Sequence, residues 1–237
     1  MDGVPLVLAH RGARKVAPEN TVEAFRVALD QGADGVELDV HRTADDELVV
    51  HHDADAPGLG VLATLPFAGI RTQRPDIPTL YEVLDTCAGA LVNIEIKNLP
   101  GDADFDPEHR AADLVVRCLA RRDGQDRVLV SSFNLDTIDR LRAIDDAVPT
   151  GFLVIGVDPM DGLDVCATRG HRALHPFVGL VGGDVAARVI QRAHELAVAV
   201  NVWTVNDDAE VRRFAALGVD GLITDVPDRA RHALGLD

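Results

Sequence analysis

Two segments, Val36-Glu37-Leu38-Asp39-Val40 and Val92-Asn93-Ile94-Glu95-Ile96-Lys97, alternate between apolar and polar residues. Successive side chains of a β-strand point to opposite faces, so each segment has one apolar and one polar face. Glu37 and Asp39 share a face in the first segment, as do Asn93, Glu95 and Lys97 in the second. The alternation therefore predicts two strands that carry acids on their inward face.

The rest of the chain repeats this unit: short apolar segments alternate with helix-period segments, which indicates successive βα units. We place barrel strands near residues 5–9, 35–39, 91–96, 127–131, 150–155, 172–175, 199–204 and 220–224. Eight strands can close a barrel, and 237 residues is close to the roughly 250 of such a domain. We predict an α/β fold, a single (β/α)8 TIM barrel, with residues 1–237 forming one catalytic domain.

The first helix and one departure from the regular alternation are also visible. Residues Asn20 to Glu23 read as a capping box, followed by an apolar helical stripe and a stop at Gly32. After the second strand, residues 48–53 form another short extended segment, followed by a stretch punctuated by Pro and Gly. We interpret residues 54–77 as a short insertion, a loop or hairpin on the active-site face.

The composition argues against several classes of protein. The net charge is −16, which argues against sequence-independent binding to nucleic acid or to anionic lipid. The three cysteines are odd in number and too widely spaced for a zinc knuckle or a redox pair. The first residues lack the cations of a signal peptide, and no stretch approaches the ~18 apolar residues of a membrane span. We expect a cytoplasmic protein without stable membrane association.

Three carboxylates, Glu37, Asp39 and Glu95, are predicted to converge at one end of the barrel. Crowded carboxylates repel one another and are costly to desolvate, so they need a cation or raised pKa values. An all-oxygen ligand set favours Mg²⁺, with Ca²⁺ or Mn²⁺ as alternatives, over zinc. The competing interpretation is a set of solvated acids with Lys97 as an ion-pair partner.

Two histidines are candidates for acid–base chemistry. His10 ends the first strand and is followed by Arg11 and Gly12, which places it at the C-terminal rim where barrel enzymes react. His52 can reach the same rim from the segment after the second strand. Imidazoles titrate near pH 6.5, so this pair could serve as base and acid around neutral pH.

The other histidines are weaker candidates. His51 precedes His52 and points the other way if the segment is extended. His175, at the predicted end of the sixth strand, is a secondary candidate. We interpret the remainder as surface or packing residues without paired acids: His41, His109, His171, His194 and His232.

Short motifs recur along nearly the whole chain. They are His10-Arg11-Gly12, Pro18-Glu19-Asn20-Thr21, Glu37-Leu38-Asp39-Val40, Val49-Val50-His51-His52-Asp53, Glu95-Ile96-Lys97, Trp203-Thr204-Val205-Asn206 and Ile223-Thr224-Asp225. Any single motif would be a weak signal, but all of them in order are specific. Together they resemble one family, the glycerophosphodiester phosphodiesterases.

The resemblance implies a barrel hydrolase of lipid and glycerol metabolism that uses a divalent cation to cleave glycerophosphodiesters into glycerol phosphate and an alcohol. By motif, the metal ligands match Glu37, Asp39 and Glu95, and the catalytic histidines match His10 and His52. The substrate-binding positions match Arg11 and Lys97, and Trp203 suits an apolar wall beside the glycerol or the leaving group. The same resemblance makes the substrate's own glycerol 2-hydroxyl a candidate nucleophile.

The departures from the family pattern lie after the second strand. Family members commonly have Asp-Gly where this chain has Asp45-Asp46, and an Arg-Thr-Thr-Gly-like stretch where this chain has residues 54–58. These residues bear on loop shape and substrate entry. The departures therefore leave the headgroup preference open rather than the phosphodiester chemistry.

The sequence leaves two alternative functions. One is a related barrel phosphodiesterase of the phospholipase D-like type acting on lysolipids, but such secreted enzymes usually carry a signal peptide and disulfides. The other is a non-catalytic barrel that binds phosphodiesters or a partner protein. Loss of one histidine or acid would favour the second alternative, yet all five matching positions are filled.

Overall fold

A computed structural model describes residues 3–122 and 124–236. The strands are β1 (Leu6–His10), β2 (Gly35–Arg42), β3 (Leu48–Val50), β4 (Asp55–Ala56), β5 (Gly60–Val61), β6 (Leu91–Ile96), β7 (Arg127–Ser132), β8 (Thr150–Val154), β9 (Ala173–Pro176), β10 (Ala199–Val202) and β11 (Gly221–Thr224). The helices are α1 (Val22–Asp30), α2 (Phe67–Gln73), α3 (Leu80–Thr86), α4 (Arg110–Ala120), α5 (Leu135–Ile144), α6 (Pro159–Arg169), α7 (Asp184–Glu195), α8 (Asp208–Leu217) and α9 (Pro227–Ala233). Short 3-10 turns lie at Leu62–Thr64 and Val178–Leu180.

Eight parallel strands form a closed barrel in the order β1-β11-β10-β9-β8-β7-β6-β2. Strand β1 closes the barrel because it pairs in parallel with both β2 and β11. The predicted (β/α)8 fold is confirmed. The largest difference in strand bounds is at β2, which extends to Arg42 because β3 pairs with its end as an antiparallel partner.

The hydrophobic core lies between the strands and the surrounding helices. The outward faces of β2 and β6 contribute fully buried Val36 and Ile94, which belong to one cluster with Phe25 of α1. A second cluster on the other side of the barrel includes Val200 of β10 and Phe214 of α8. Because the apolar side chains of these strands face the helices, the polar side chains that alternate with them face the barrel interior.

The segment after β2 is more structured than a loop. Strands β4 and β5 pair as an antiparallel hairpin, which agrees with the hairpin alternative of the prediction. Helix α2 follows and was not predicted. Asp46 turns the chain between β2 and β3 with a φ of 61°, a left-handed conformation that Asp tolerates better than most residues. The aspartate that replaces the family's glycine is thus compatible with the same turn.

Helix α1 begins one residue later than the predicted capping box. Thr21 is the N-cap residue, and its side chain accepts a hydrogen bond from the backbone N–H of Ala24. Asn20 does not cap the helix because its side chain is bonded to Asp39 instead. Within the described residues, none of the helices is both long and apolar enough to span a membrane.

Candidate active site

A cavity of about 130 Å³ opens at the C-terminal ends of the barrel strands. It is lined by His10, Arg11, Glu37, His52, Asn93, Glu95, Lys97, Phe133, Leu153, Trp203 and Ile223. This is the end of the barrel at which enzymes of this architecture carry their reactive groups. The structure therefore gathers the predicted residues, which come from both ends of the sequence, around one cavity.

Three carboxylates meet beside this cavity. One oxygen atom from each of Glu37, Asp39 and Glu95 lies within 4.8 Å of the others, and all three residues are at least 90% buried. Parallel pairing of β2 with β6 sets Asp39 opposite Glu95. The strand alternation that predicted this cluster is correct.

Two cations partly balance the three acids. The Nζ of Lys97 lies 2.9 Å from Oε1 of Glu95 and 3.6 Å from Oδ1 of Asp39. The Nε of Arg11 lies 3.3 Å from Oδ2 of Asp39. Glu37 is bonded instead by the backbone N–H of Arg11, at 3.0 Å from its Oε2. Among the described residues, no cationic side chain forms an ion pair with Glu37.

The pKa values reflect this imbalance. Burial, together with the charges of Asp39 and Glu95, raises the pKa of Glu37 well above its usual range. Burial also raises the pKa of Glu95 to about 7, although Lys97 opposes the shift. For Asp39, burial acts in the same direction, but Lys97 and Arg11 outweigh it and lower the pKa. Such a cluster gains from additional positive charge.

His10 is held by an aspartate from the last barrel strand. Its Nδ1 lies 2.7 Å from Oδ1 of Asp225, and both side chains are about nine-tenths buried. Burial acts to raise the pKa of Asp225, but the hydrogen bond from His10 outweighs it and the pKa falls to about 2. An ionised Asp225 accepts the Nδ1 proton, which leaves Nε2 of His10 as the nitrogen able to exchange a proton.

His52 has a similar arrangement in a more open position. Its Nδ1 lies 2.6 Å from Oδ1 of Asp53, which is 67% exposed. Burial lowers the pKa of His52 below its usual value even though Asp39 opposes the shift. His51 does not line the cavity of His10 and His52; it lines a neighbouring recess with Arg74 and Ile77, to which His52 also contributes. The opposite orientation of His51 stays a prediction.

The Arg11-Gly12 turn brings the first helix against the site. Arg11 has a φ of 57°, and its Nη1 donates to Oε1 of Glu19 at 2.9 Å. Gly12 has a φ of 81°, and a Cβ there would lie 2.7 Å from the backbone carbon of Ala24. Glycine is therefore required by both the backbone conformation and the close approach of α1.

Trp203 forms an aromatic wall. Its ring packs against Phe133 with centroids 5.5 Å apart and against Phe177 at 5.3 Å. The indole Nε1 donates to the backbone carbonyl of His175 at 2.8 Å. The ring is thus fixed from two sides and presents an apolar surface to the cavity.

Sequence reasoning missed several partners of these groups. Asn20 donates from Nδ2 to Asp39 at 2.9 Å, and Asp225 and Asp53 orient the two histidines. All three stand in quoted motifs: Pro18-Glu19-Asn20-Thr21, Ile223-Thr224-Asp225 and Val49-Val50-His51-His52-Asp53. Position within a motif was thus the one signal that could have found them.

The interpretation of the remaining histidines needs correction. His41, His171 and His194 do have acidic neighbours, at 2.6, 3.2 and 3.4 Å. His41 and His171 are buried, which agrees with packing residues, so only the expected lack of paired acids is wrong. His175 is fully buried inside the barrel, where burial lowers its pKa to about 3. A neutral imidazole bonded to Asn201 is a structural group rather than an acid–base candidate.

Comparison with known proteins shows the family of the chain. A sequence model of the glycerophosphoryl diester phosphodiesterase family matches residues 10–229. The chain belongs to this family. The predicted family and the enzyme class, a glycerophosphodiester phosphodiesterase, are both confirmed.

Similar proteins cover almost the full length of the chain. It is 30% identical to a glycerophosphodiester phosphodiesterase of Caldanaerobacter subterraneus, with 94% of this chain and 95% of that protein aligned. The crystal structure of a glycerophosphodiester phosphodiesterase from Thermotoga maritima matches with a TM-score of 0.81 at 28% identity, covering 98% of each chain. An Oleispira antarctica phosphodiesterase in complex with the product sn-glycerol-3-phosphate matches with a TM-score of 0.85 at 25% identity, covering 98% of this chain and 97% of that one.

Proposed function

We propose that this member of the family hydrolyses glycerophosphodiesters to glycerol phosphate and an alcohol, using a bound divalent cation and the pair His10 and His52. The observation that carries the proposal is the cluster of three buried carboxylates, Glu37, Asp39 and Glu95. It lies beside the cavity that His10 and His52 line. Sn-glycerol-3-phosphate, the product bound by the Oleispira antarctica phosphodiesterase, fits the proposed reaction.

The residues fit a divalent cation. Three carboxylates share the site with two cationic side chains, and the raised pKa values of Glu37 and Glu95 reflect the uncompensated charge. An all-oxygen donor set suits Mg²⁺, with Ca²⁺ or Mn²⁺ as alternatives. Glu37, Asp39 and Glu95 would hold the ion. When bound, it would polarise a phosphate oxygen and offset the charge that grows during transfer.

Binding of the substrate phosphate is assigned to the two cations at the cavity. Arg11 has a guanidinium already oriented by Glu19 and Asp39, and Lys97 is held by Glu95 and Asp39. Preorganised cations of this kind stabilise charge without rearranging during the reaction. Trp203 would contact the glycerol or the leaving group from the apolar side.

Proton transfer is assigned to His10 and His52. Each has Nδ1 bonded to an aspartate, so each leaves Nε2 able to exchange a proton in the cavity. One histidine would take the proton of the attacking hydroxyl while the other protonates the departing alkoxide. An attack by the glycerol 2-hydroxyl would give a cyclic phosphate that water then opens.

The remaining predictions concern context. We propose that residues 1–237 act as a single catalytic domain in which residues 54–77 are an insertion, and that the partner of the site is a small-molecule diester rather than nucleic acid. The cytoplasmic location stays a prediction; Cys87, Cys118 and Cys166 are free in the structure, as a reducing compartment would require.

Metal removal tests the proposal. Chelation followed by dialysis should abolish release of glycerol phosphate from glycerophosphocholine, and Mg²⁺, Mn²⁺ or Ca²⁺ should restore it. Glu37→Gln should weaken metal binding measured by calorimetry, whereas Glu195→Gln on exposed α7 should not. Full activity after demonstrated metal removal would contradict the metal-dependent mechanism.

A further inference from the structure

The end of strand β2 carries a buried histidine that the proposed chemistry does not use. His41 follows Asp39 by two residues, and its side chain is 1% exposed. Its Nδ1 lies 2.6 Å from Oδ2 of Asp104, whose side chain is 3% exposed. Its Nε2 lies 3.1 Å from the backbone carbonyl oxygen of His52. The ring thus bridges Asp104 and the backbone of His52.

The chemistry of these partners fixes what each ring nitrogen does. A carbonyl oxygen can only accept, so Nε2 of His41 carries a proton and donates it to His52. Nδ1 makes the second hydrogen bond of the ring, to the Asp104 carboxyl group. Asp104 therefore orients the ring with its donor directed at His52, as a carboxylate orients the imidazole in a catalytic triad.

His52 depends on such anchoring because it lies in an irregular segment after β3. Its own imidazole is bonded by Asp53, a largely exposed residue whose interactions solvent screens. The backbone of the segment is tied to β2 through His51, whose N–H donates to the carbonyl of Asp39 at 3.0 Å. The His41 ring adds a buried side-chain contact one residue further along.

Asp104 is itself on a well-anchored segment, the connection between β6 and α4. Asn98 accepts from the N–H of Asp106 at 2.8 Å and donates to its carbonyl oxygen at 3.0 Å. Asn134 of the next unit donates to the carbonyl of Asn98 at 2.7 Å. The connection begins with Lys97 itself, so one structured segment carries both Lys97 and the bridge to His52.

We propose that His41 and Asp104 are a positioning pair that holds the His52 segment at the cavity. This inference rests on the proposed role of His52 in proton transfer. A displacement of about 1 Å in a reacting group can cost about 100-fold in rate. The pair therefore determines how well His52 is placed without contacting the substrate.

Substitutions at Asp104 separate this role from a general contribution to folding. In Asp104→Asn, the amide N–H can donate to Nδ1 of His41, which keeps the proton on Nε2 and the bond to His52. In Asp104→Leu, that partner is lost. We expect the Asn variant to stay within about threefold of the wild-type kcat and the Leu variant to lose about 10- to 100-fold. KM and the affinity for Mg²⁺ should be unchanged.

His171 provides the matched control. It is also a buried imidazole, with Nδ1 2.8 Å from Oγ1 of Thr150 and Nε2 3.2 Å from Oδ1 of Asp139, but it lies at the opposite end of the barrel. With rates normalised to the folded fraction, His41→Leu should lose kcat whereas His171→Leu should keep it. Equal kcat in the wild type and Asp104→Leu, while His52→Ala is inactive, would overturn the inference and leave the proposed function standing.

Hydrogen exchange gives a readout that is independent of turnover. Removing the bridge should loosen the segment, so the amide of His51 should exchange at least about tenfold faster in Asp104→Leu, and Asp104→Asn should restore its protection. This holds even if the wild-type enzyme does not hydrolyse the diester tested. Unchanged protection in Asp104→Leu would overturn the proposal, and an inactive wild type with faster exchange would overturn only the proposed function.

Discussion

The three carboxylates at the barrel mouth have unequal partners. Asp39 accepts a hydrogen bond from Asn20 and forms ion pairs with Arg11 and Lys97. Glu95 forms an ion pair with Lys97, whereas Glu37 accepts a hydrogen bond from the backbone N–H of Arg11. This inequality explains why the pKa values of Glu37 and Asp39 move in opposite directions although both are buried. A site with this residual charge is costly to keep in a folded protein without a function for it.

Variants of the histidines should separate catalysis from folding. His10→Ala and His52→Ala should each lower kcat by at least about 100-fold, the usual scale for a lost acid or base. Neither side chain lies in the hydrophobic clusters, so the melting temperature should change little. Steady-state kinetics and calorimetry measure both quantities. His51→Ala is the control and should be mild; an inactive His51→Ala beside an active His52→Ala would reverse the assignment.

At the level of the strands, β9 should make the barrel sensitive to acid. Burial lowers the pKa of His175 from its usual 6.5 to about 3, so between these values the unfolded chain binds a proton that the folded chain does not. The stabilising contribution is complete above pH 6.5 and is lost as the pH falls toward 3. For one proton, the free energy of unfolding should fall by about 1.4 kcal/mol per pH unit in that range.

Urea denaturation of the wild type and His175→Gln at pH 7, 6 and 5 measures this effect. The glutamine oxygen can accept from Asn201 in place of the imidazole nitrogen, so the variant should fold. Its stability should depend less steeply on pH, by about one proton. Parallel slopes for wild type and His175→Gln would mean that His175 does not govern the acid response.

Strand periodicity accounts for the part of the site that could be predicted. The alternation places Glu37, Asp39 and Glu95 on one face, and the eight strand positions place their C-terminal ends together. Because neither feature requires knowledge of the loops, both follow from the order of apolar and polar residues alone.

The partners of the site residues could not be predicted in this way. Asn20 reaches Asp39 from a left-handed turn with a φ of 57°, and Asp225 reaches His10 across the closure of the barrel. Such contacts depend on loop conformation and on pairing between distant parts of the chain, and neither leaves a periodic pattern in the sequence. Helix α2 was also not predicted. Ile70 is the single buried residue among its seven residues, and one buried residue produces no amphipathic pattern.

For the whole molecule, charge and cavity size together limit the substrate. The net charge is −16, yet Arg11 and Lys97 line the cavity, and Arg14 lies within 3.6 Å of Asp225 at its edge. We therefore expect the site to attract a diester phosphate locally, although the net charge disfavours binding to an anionic bilayer. We expect this cavity of about 130 Å³ to hold the glycerol phosphate part of a diester, with the headgroup outside it.

We therefore expect glycerophosphocholine, glycerophosphoethanolamine and glycerophosphoglycerol to be cleaved with kcat/KM values within roughly two orders of magnitude, because peripheral contacts discriminate by ~1–3 kcal/mol. Intact phospholipid in anionic vesicles should be hydrolysed much more slowly, because charge repulsion keeps the protein from the surface.

The glycerol should matter more than the headgroup. If its 2-hydroxyl attacks the phosphate, the 2-deoxy analogue should remain a competitive inhibitor but be nearly inert, since the phosphate contacts survive and the nucleophile is gone. Rapid hydrolysis of that analogue would require water as the nucleophile, and strong activity on vesicles would instead favour a phospholipase.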